Sequence, residues 1–134
     1  MSAFVLHILS PESEQRVDGI EAFVGEDASG QFALRARHER FLSVLEPGLV
    51  RLRRVDGGTE YLAQAGAVVH FTGNELTLSC RDYLRGEDAD AVSQALEQRM
   101  SGEEQALQAA HQQLERLEHE MLRRLWRMQK EASR

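Results

Sequence analysis

Five histidines, one cysteine and a cluster of arginines are the side chains here best suited to move protons, bind metal or act as nucleophiles. His38 lies in SGQFALRARHERFLSVLEPGLVRLRR, residues 29–54, beside Arg35, Arg37, Glu39 and Arg40. An imidazole working as a general base needs a serine or cysteine within reach and an acid to orient the ring, and no such spacing occurs. His38 is therefore read as a surface or interface residue. A cupin-like metal site would draw on His7, His38 and His70, all in or near predicted strands, but no H-x-H pair supports it. His111 and His119 are two helical turns apart, too far for one metal, and read as solvated. Cys80 is the only cysteine, which excludes an intramolecular disulfide and a thiolate zinc cluster, and it is expected to be a buried, inert thiol. Neither a G-x-x-x-x-G-K-[ST] phosphate loop nor a set of magnesium ligands is present. No catalytic residue, metal or cofactor is expected.

The composition narrows the classes further. The 134 residues, 42% of them apolar, suffice for one domain or a small domain with an appendage. The first residues lack a basic region and a small-residue cleavage site, and no apolar run reaches the roughly 20 residues of a membrane span. The expected location is cytoplasmic, without membrane insertion. A net charge of −6 argues against a nucleic-acid binder, which needs a basic face to displace counterions. The charge is unevenly spread: Arg123, Arg124, Arg127, Lys130 and Arg134 face only Glu131 from Met121 onward, a local balance of +4. Such a basic tail on an acidic body suggests an acidic partner of its own.

The elements that must position these residues fall into two halves of different period. Through about Leu84 short apolar segments alternate with turn signals: AFVLHILS before Pro11, IEAFVGE before DASG, GQFALR, FLSVL before EPG, LVRLRRV before DGG, TEYLAQ, AVVHF before TGN, and ELTLSC. Spacings of about 8–12 residues between such strands predict an antiparallel sandwich or barrel. After RDYLRGED the spacing of Val92, Ala95, Leu96 and Met100 becomes helical, with Asp88 or Asp90 as the cap. Ser101 and Glu104 have the S-x-x-E relation of a capping box, which predicts a second helix starting there. Its stripe is Leu107, Ala110, Leu114, Leu117, Met121, Leu125 and Met128, with Trp126 beside Leu122 as an interface-type anchor. The expected fold is mixed β then α: an antiparallel β-sandwich over 1–84, followed over 85–134 by a two-helix hairpin or an extended helical arm.

In this order the features resemble the epsilon subunit of bacterial F-type ATP synthases, in the variant carried by alternate operons. The resemblance rests on LHILSPE, on ASGQFALRARHERFLSVLEPGLVRLR, similar to the family's G-x-(L/F)-G-(I/L)-x-x-x-H followed by L-x-P-G, and on YLAQAGAVVHFTGNELTLSCRDYLRGED. It covers nearly the whole chain. Departures are Ala33 in place of glycine, Ala36-Arg37 in place of proline-glycine, and Gln31 where many members carry an acid against the c-ring. The ATP motif (I/L)-D-x-x-R-A is degenerate at Asp90 and Ser93, where the phosphate-binding arginine is missing.

The resemblance implies a non-catalytic rotor subunit of the central stalk, peripheral to the cytoplasmic face of the bacterial inner membrane. It would couple ion flow to ATP synthesis and restrain ATP hydrolysis. Gln31, His38 and Arg40 would form the foot that meets the gamma subunit and the c-ring. Arg123, Arg124, Trp126 and Arg127 would reach the beta and alpha subunits of the catalytic head. Two rival readings are a stand-alone coiled-coil adaptor, which needs no gamma partner, and a small cupin-type metalloenzyme.

Overall fold

The computed structural model describes residues 2–132, so Arg134 of the basic tail lies outside the described residues. Among the described residues nine strands are followed by one helix: β1 (Phe4–Leu9), β2 (Glu14–Asp27), β3 (Gly30–Arg35), β4 (Phe41–Leu45), β5 (Gly48–Arg54), β6 (Thr59–Gln64), β7 (Ala67–Thr72), β8 (Glu75–Cys80), β9 (Tyr83–Gly86) and α1 (Ala89–Ala132). Two compact units result, one ending at Glu97 and one beginning at Gln98.

In the first unit, alternation along the strands turns one set of side chains inward. Phe4, Leu6 and Ile8 of β1, Leu76 and Leu78 of β8, Val69 and Phe71 of β7, and Val50 and Leu52 of β5 are buried in one core. The strands run in hydrogen-bonded order β1-β8-β7-β4-β2-β5-β6-β9, with β3 on β2 and β1 also on β2. The 14-residue β2 joins the two halves: its first part pairs with β1, and Ala22–Asp27 pairs with β3. Its register against β1 shifts between Val17 and Ile20, around Gly19, whose φ of 70° a side chain rarely adopts.

Every pairing is antiparallel except β1 with β8. The all-antiparallel expectation fails there because the two strands are far apart in the chain. No tight turn links them, so the long connection leaves their relative direction free. Cys80 is half-buried rather than fully buried. Partial desolvation, with Asp82 nearby, pushes its thiol up to about 11, which keeps it inert.

The start of α1 belongs to this unit. Asp88 is the cap, its Oδ1 accepting the amides of Asp90 at 3.1 Å and Ala91 at 3.2 Å. Val92 and Leu96 pack with Ala63 in a second cluster, flanked by Tyr61 and Leu84. Gly86 is required at the approach to the helix, since a Cβ there would lie 2.7 Å from Val92 Cγ1.

The expected hairpin is not found: α1 is one helix of 44 residues, continuous through Ser101 and Gly102. A capping box requires its serine outside helical φ/ψ, and Ser101 is helical. Gly102 lowers helix stability by about 1 kcal/mol relative to alanine, too little to stop a helix with strong formers on both sides and no proline.

Candidate functional site

The residues singled out in the sequence occupy three places, and β3 separates two of them. At its start, Asp27 and Gly30 close a tight turn with β2. Asp27 Oδ1 accepts the Ser29 amide at 2.9 Å and the Ser29 hydroxyl at 2.5 Å, and Oδ2 accepts the Ser43 hydroxyl of β4 at 2.6 Å. The Ser29 and Ser43 hydroxyls hold the Asp27 carboxyl below its usual value. Gln31 follows, exposed and opposite Glu26. The β4–β5 connection is tied to this end by the Glu46 amide, which donates to the Glu26 carbonyl at 2.9 Å. Buried Gln64 then spans from the Glu46 carbonyl, 2.7 Å, to the Gly66 amide, 2.5 Å. Three turns thus form one rigid polar rim.

His38 lies beyond the opposite end of β3, and about 13 Å of strand separates Gln31 from that end. The structure therefore does not bring these two residues together. Arg37, at φ 65°, donates its amide to Asn74 Oδ1 at 2.8 Å, and Asn74 Nδ2 donates to the Ala3 carbonyl at 2.9 Å. The half-buried His38 ring meets Phe41 and Phe71 edge-on, at 5.8 and 5.9 Å between centroids. Its Nδ1 lies 2.7 Å from the Glu39 carbonyl, which can only accept, so this nitrogen carries the proton. His38 acts as a packing plug between a turn and the core, and Arg40 beside it is exposed.

His7 and His70 both sit opposite Thr77 of β8, on strands either side of it. Two strand spacings put their backbones roughly 10 Å apart, and no metal-binding group of three His, Cys, Asp or Glu occurs among the described residues.

One surface was missed in the sequence. On β4 both outward side chains are apolar, Leu42 at 69% and Val44 at 66% exposed, and Val68 of β7, 46% exposed, adjoins them, while the other outward residues of β7 are His70 and Thr72. Val44 and Val68 are direct cross-strand partners. The signal was available in FLSVL, which has only one polar residue where a strand with one wet face should have two or three. An apolar outer strand face of this kind marks a binding surface.

A second omission is the buried carboxylate of Glu60 on β6. Arg85 of β9 grips it with Nε on Oε1 at 2.5 Å and Nη2 on Oε2 at 3.1 Å, and Arg54 Nη1 reaches Oε2 at 3.3 Å. Arg85 Nη1 also donates to Gln15 Oε1 at 3.0 Å, which ties β9 to β2.

In the second unit, Arg123, Arg124 and Arg127 are exposed on α1. Trp126 is 65% exposed, with Lys130 Nζ 4.9 Å from its ring centroid. Asp90 is exposed and Ser93 half-buried in the first turns of the helix. No helix among the described residues is long and apolar enough to cross a membrane.

Residues 3–86 match the family described as the beta-sandwich domain of the ATP synthase delta/epsilon chain. The chain is 34% identical over 111 residues to ATP synthase epsilon chain 2 of Cereibacter sphaeroides, covering 82% of this chain and 76% of that one. It is 32% identical over 63 residues to the ATP synthase epsilon chain of Delftia acidovorans, 47% of this chain and 46% of that one. In fold it is similar to a chain in the central stalk and c-ring of Tetrahymena thermophila mitochondrial ATP synthase, with TM-score 0.51, 18% identity and coverage of 60% and 64%. It is also similar to a chain in the F1 and c-ring assembly of Euglena gracilis mitochondrial ATP synthase, with TM-score 0.58, 15% identity and coverage of 74% and 64%. The chain thus spans just under two thirds of each of these two solved chains.

Proposed function

The chain belongs to the ATP synthase delta/epsilon family and is a non-catalytic subunit of the rotor stalk, and on that premise we propose how its surfaces divide the work. The sandwich couples the gamma subunit to the c-ring, at the cytoplasmic face of the bacterial inner membrane. The observation that carries this reading is the outward apolar face of Leu42, Val44 and Val68, which a stalk neighbour would cover. We assign that face to gamma. Gln31, on the rigid rim closed by Asp27 and Gln64, meets the polar loops of the c-ring through hydrogen bonds rather than a charge. His38 and Arg40, at the other end of β3, then belong to the gamma side.

The basic end of α1, with Arg123, Arg124, Trp126 and Arg127, engages an acidic segment of the beta and alpha subunits and restrains ATP hydrolysis. Nucleotide plays no part, because Ser93 stands where an arginine would contact phosphate.

Co-purification of the tagged chain from its own cells tests this reading. Gamma and c subunits should co-purify with the unaltered chain, and L42D/V44D should lose gamma while the isolated sandwich stays folded by circular dichroism. Recovery of the unaltered chain without gamma would favour the stand-alone adaptor instead.

A further inference from the structure

Beyond the surfaces assigned to the stalk, we infer that the outward face of β3, β2 and β5 is a docking surface for an acidic helix of a neighbouring protein, gripped by Arg35, Arg51 and Arg53. The pairing register builds it. Ala22 of β2 lies opposite Arg35 of β3 on one side and Arg53 of β5 on the other, and Val24 lies opposite Ala33 and Arg51. Residues directly opposite share a face, so the three arginines stand around a low floor of Ala22, Val24 and Ala33. All three arginines are exposed. Val92 and Leu96 of α1 cover only Ala63, Tyr61 and Leu84, at the β6–β9 end of the same face. The face is made by other strands than β4 and β7, which carry Leu42, Val44 and Val68, and does not depend on which neighbour covers those.

The charges here are spare rather than balanced. Through Glu97 the chain holds 9 arginines against 16 acidic residues, yet three of the nine gather on this face. Glu21, the extra residue at the register shift between Ile20 and Ala22, reaches Arg53 at 3.7 Å. Arg35 and Arg51 have no ion pair among the described residues. Glu26 continues the row of Ala22 and Val24 towards the rim, opposite Gln31. At the other end Ser2, Glu21, Arg35, Ala36 and Val55 line an open cavity of about 460 Å³, room for a side chain of the occupant. That local excess names the occupant. Nucleic acid or an anionic bilayer would extend past three arginines into the acidic remainder of the unit, whereas a helix can carry as many carboxylates as the face has guanidinium groups. Arg35 and Arg53 are two strand spacings apart, roughly 10 Å, and Arg51 lies about 7 Å along β5 from Arg53. Laid across the strands, a helix with acids at i and i+7, about 10.5 Å apart, meets Arg53 and Arg35, and an acid at i+3 is within reach of Arg51.

An NMR titration of the full chain at roughly 50 mM salt, with an alanine-rich helical peptide bearing glutamates at i, i+3 and i+7, tests the inference. Saturable shifts should gather on the Nε signals of Arg35, Arg51 and Arg53 and on the amides of Ala22, Val24 and Ala33, with a dissociation constant below about 1 mM. R51Q/R53Q should weaken binding at least about tenfold, and the peptide with glutamine in place of glutamate should not bind. R35E/R51E/R53E should instead take up the peptide with lysine at the three positions, a reversal that a misfolded face would not give. Shifts that gather on Arg123, Arg124 and Arg127 overturn the inference, as does an R51Q/R53Q chain that binds like the original or a triple reversal that refuses the lysine peptide. So does inorganic phosphate that reproduces the shifts at the same affinity, which would make the face a general anion site.

Discussion

At the scale of single residues, two polar groups carry more of the architecture than any histidine. Asp27 fastens the tip of the rim to β4 through Ser43, and its carboxyl is held below the ordinary aspartate value, chiefly by the Ser29 hydroxyl and next by Ser43. A depressed carboxyl contributes stability that is present above its unfolded value and is lost as pH falls through the folded one. Ser43→Ala should move the Asp27 titration, followed by NMR, up towards 3.8. The acid limb of the stability curve below that pH should become shallower. An unmoved titration would mean that Ser29 alone sets it. Glu60 is the second group. Arg85→Met leaves that buried carboxylate with only the 3.3 Å contact from Arg54, and should cost about 2–3 kcal/mol in urea unfolding. Neither group was legible in the sequence. Glu60 and Arg85 lie 25 positions apart, and only the β6–β9 pairing, which sets Leu62 opposite Arg85, brings their side chains together. The spacing around His38 suggested a surface or interface residue, and its fit against Phe41 and Phe71 depends on a fold that no local pattern encodes.

At the scale of elements, the strands could be read because Gly, Asn, Asp and Pro punctuate them, as at Asp56-Gly57-Gly58 and Gly73-Asn74. Two parts of the sheet escaped. Glu14–Asp18 is strand although all of it but Val17 is polar and exposed, because its backbone completes the β1 ladder and only Val17 packs on the core. Tyr83–Gly86 is a short edge strand, held by pairing to β6. The helix misled in the other direction, since Ser101 and Gly102 carry a boundary signature that the surrounding helix overrides. Substitution separates the two forms. In a continuous helix Gly102→Ala, with nothing within 4 Å of the added methyl, should raise stability by about 0.5–1 kcal/mol, and Ser101→Ala should be neutral or mildly favourable. Were Ser101 a true cap, its replacement would lose about 1 kcal/mol and helical ellipticity would fall.

At the scale of the molecule, the unit ending at Glu97 holds its own core and the first turns of the helix through Val92 and Leu96. Removing residues 101–134 should leave the midpoint of its thermal unfolding within about 3 °C and its binding to gamma intact. Hydrolysis by the assembled complex should rise, and reversal of Arg123, Arg124 and Arg127 to glutamate should reproduce much of the rise at low salt. A truncated complex that assembles and hydrolyses ATP at the unmodified rate would remove the inhibitory role. The parallel pairing of β1 with β8 bears on how the molecule is made. Val5 must wait for Glu75, seventy positions later. At about 5–20 residues per second that interval lasts roughly 4–14 s on the ribosome. During it β1 can zip onto β2 by its near edge, but the edge beside Leu6 and Ile8 stays open until Leu76 and Leu78 emerge. A nascent chain that stalls before residue 75 therefore carries an unsealed apolar strand, the kind of segment that holding chaperones bind and that otherwise seeds edge-to-edge aggregation.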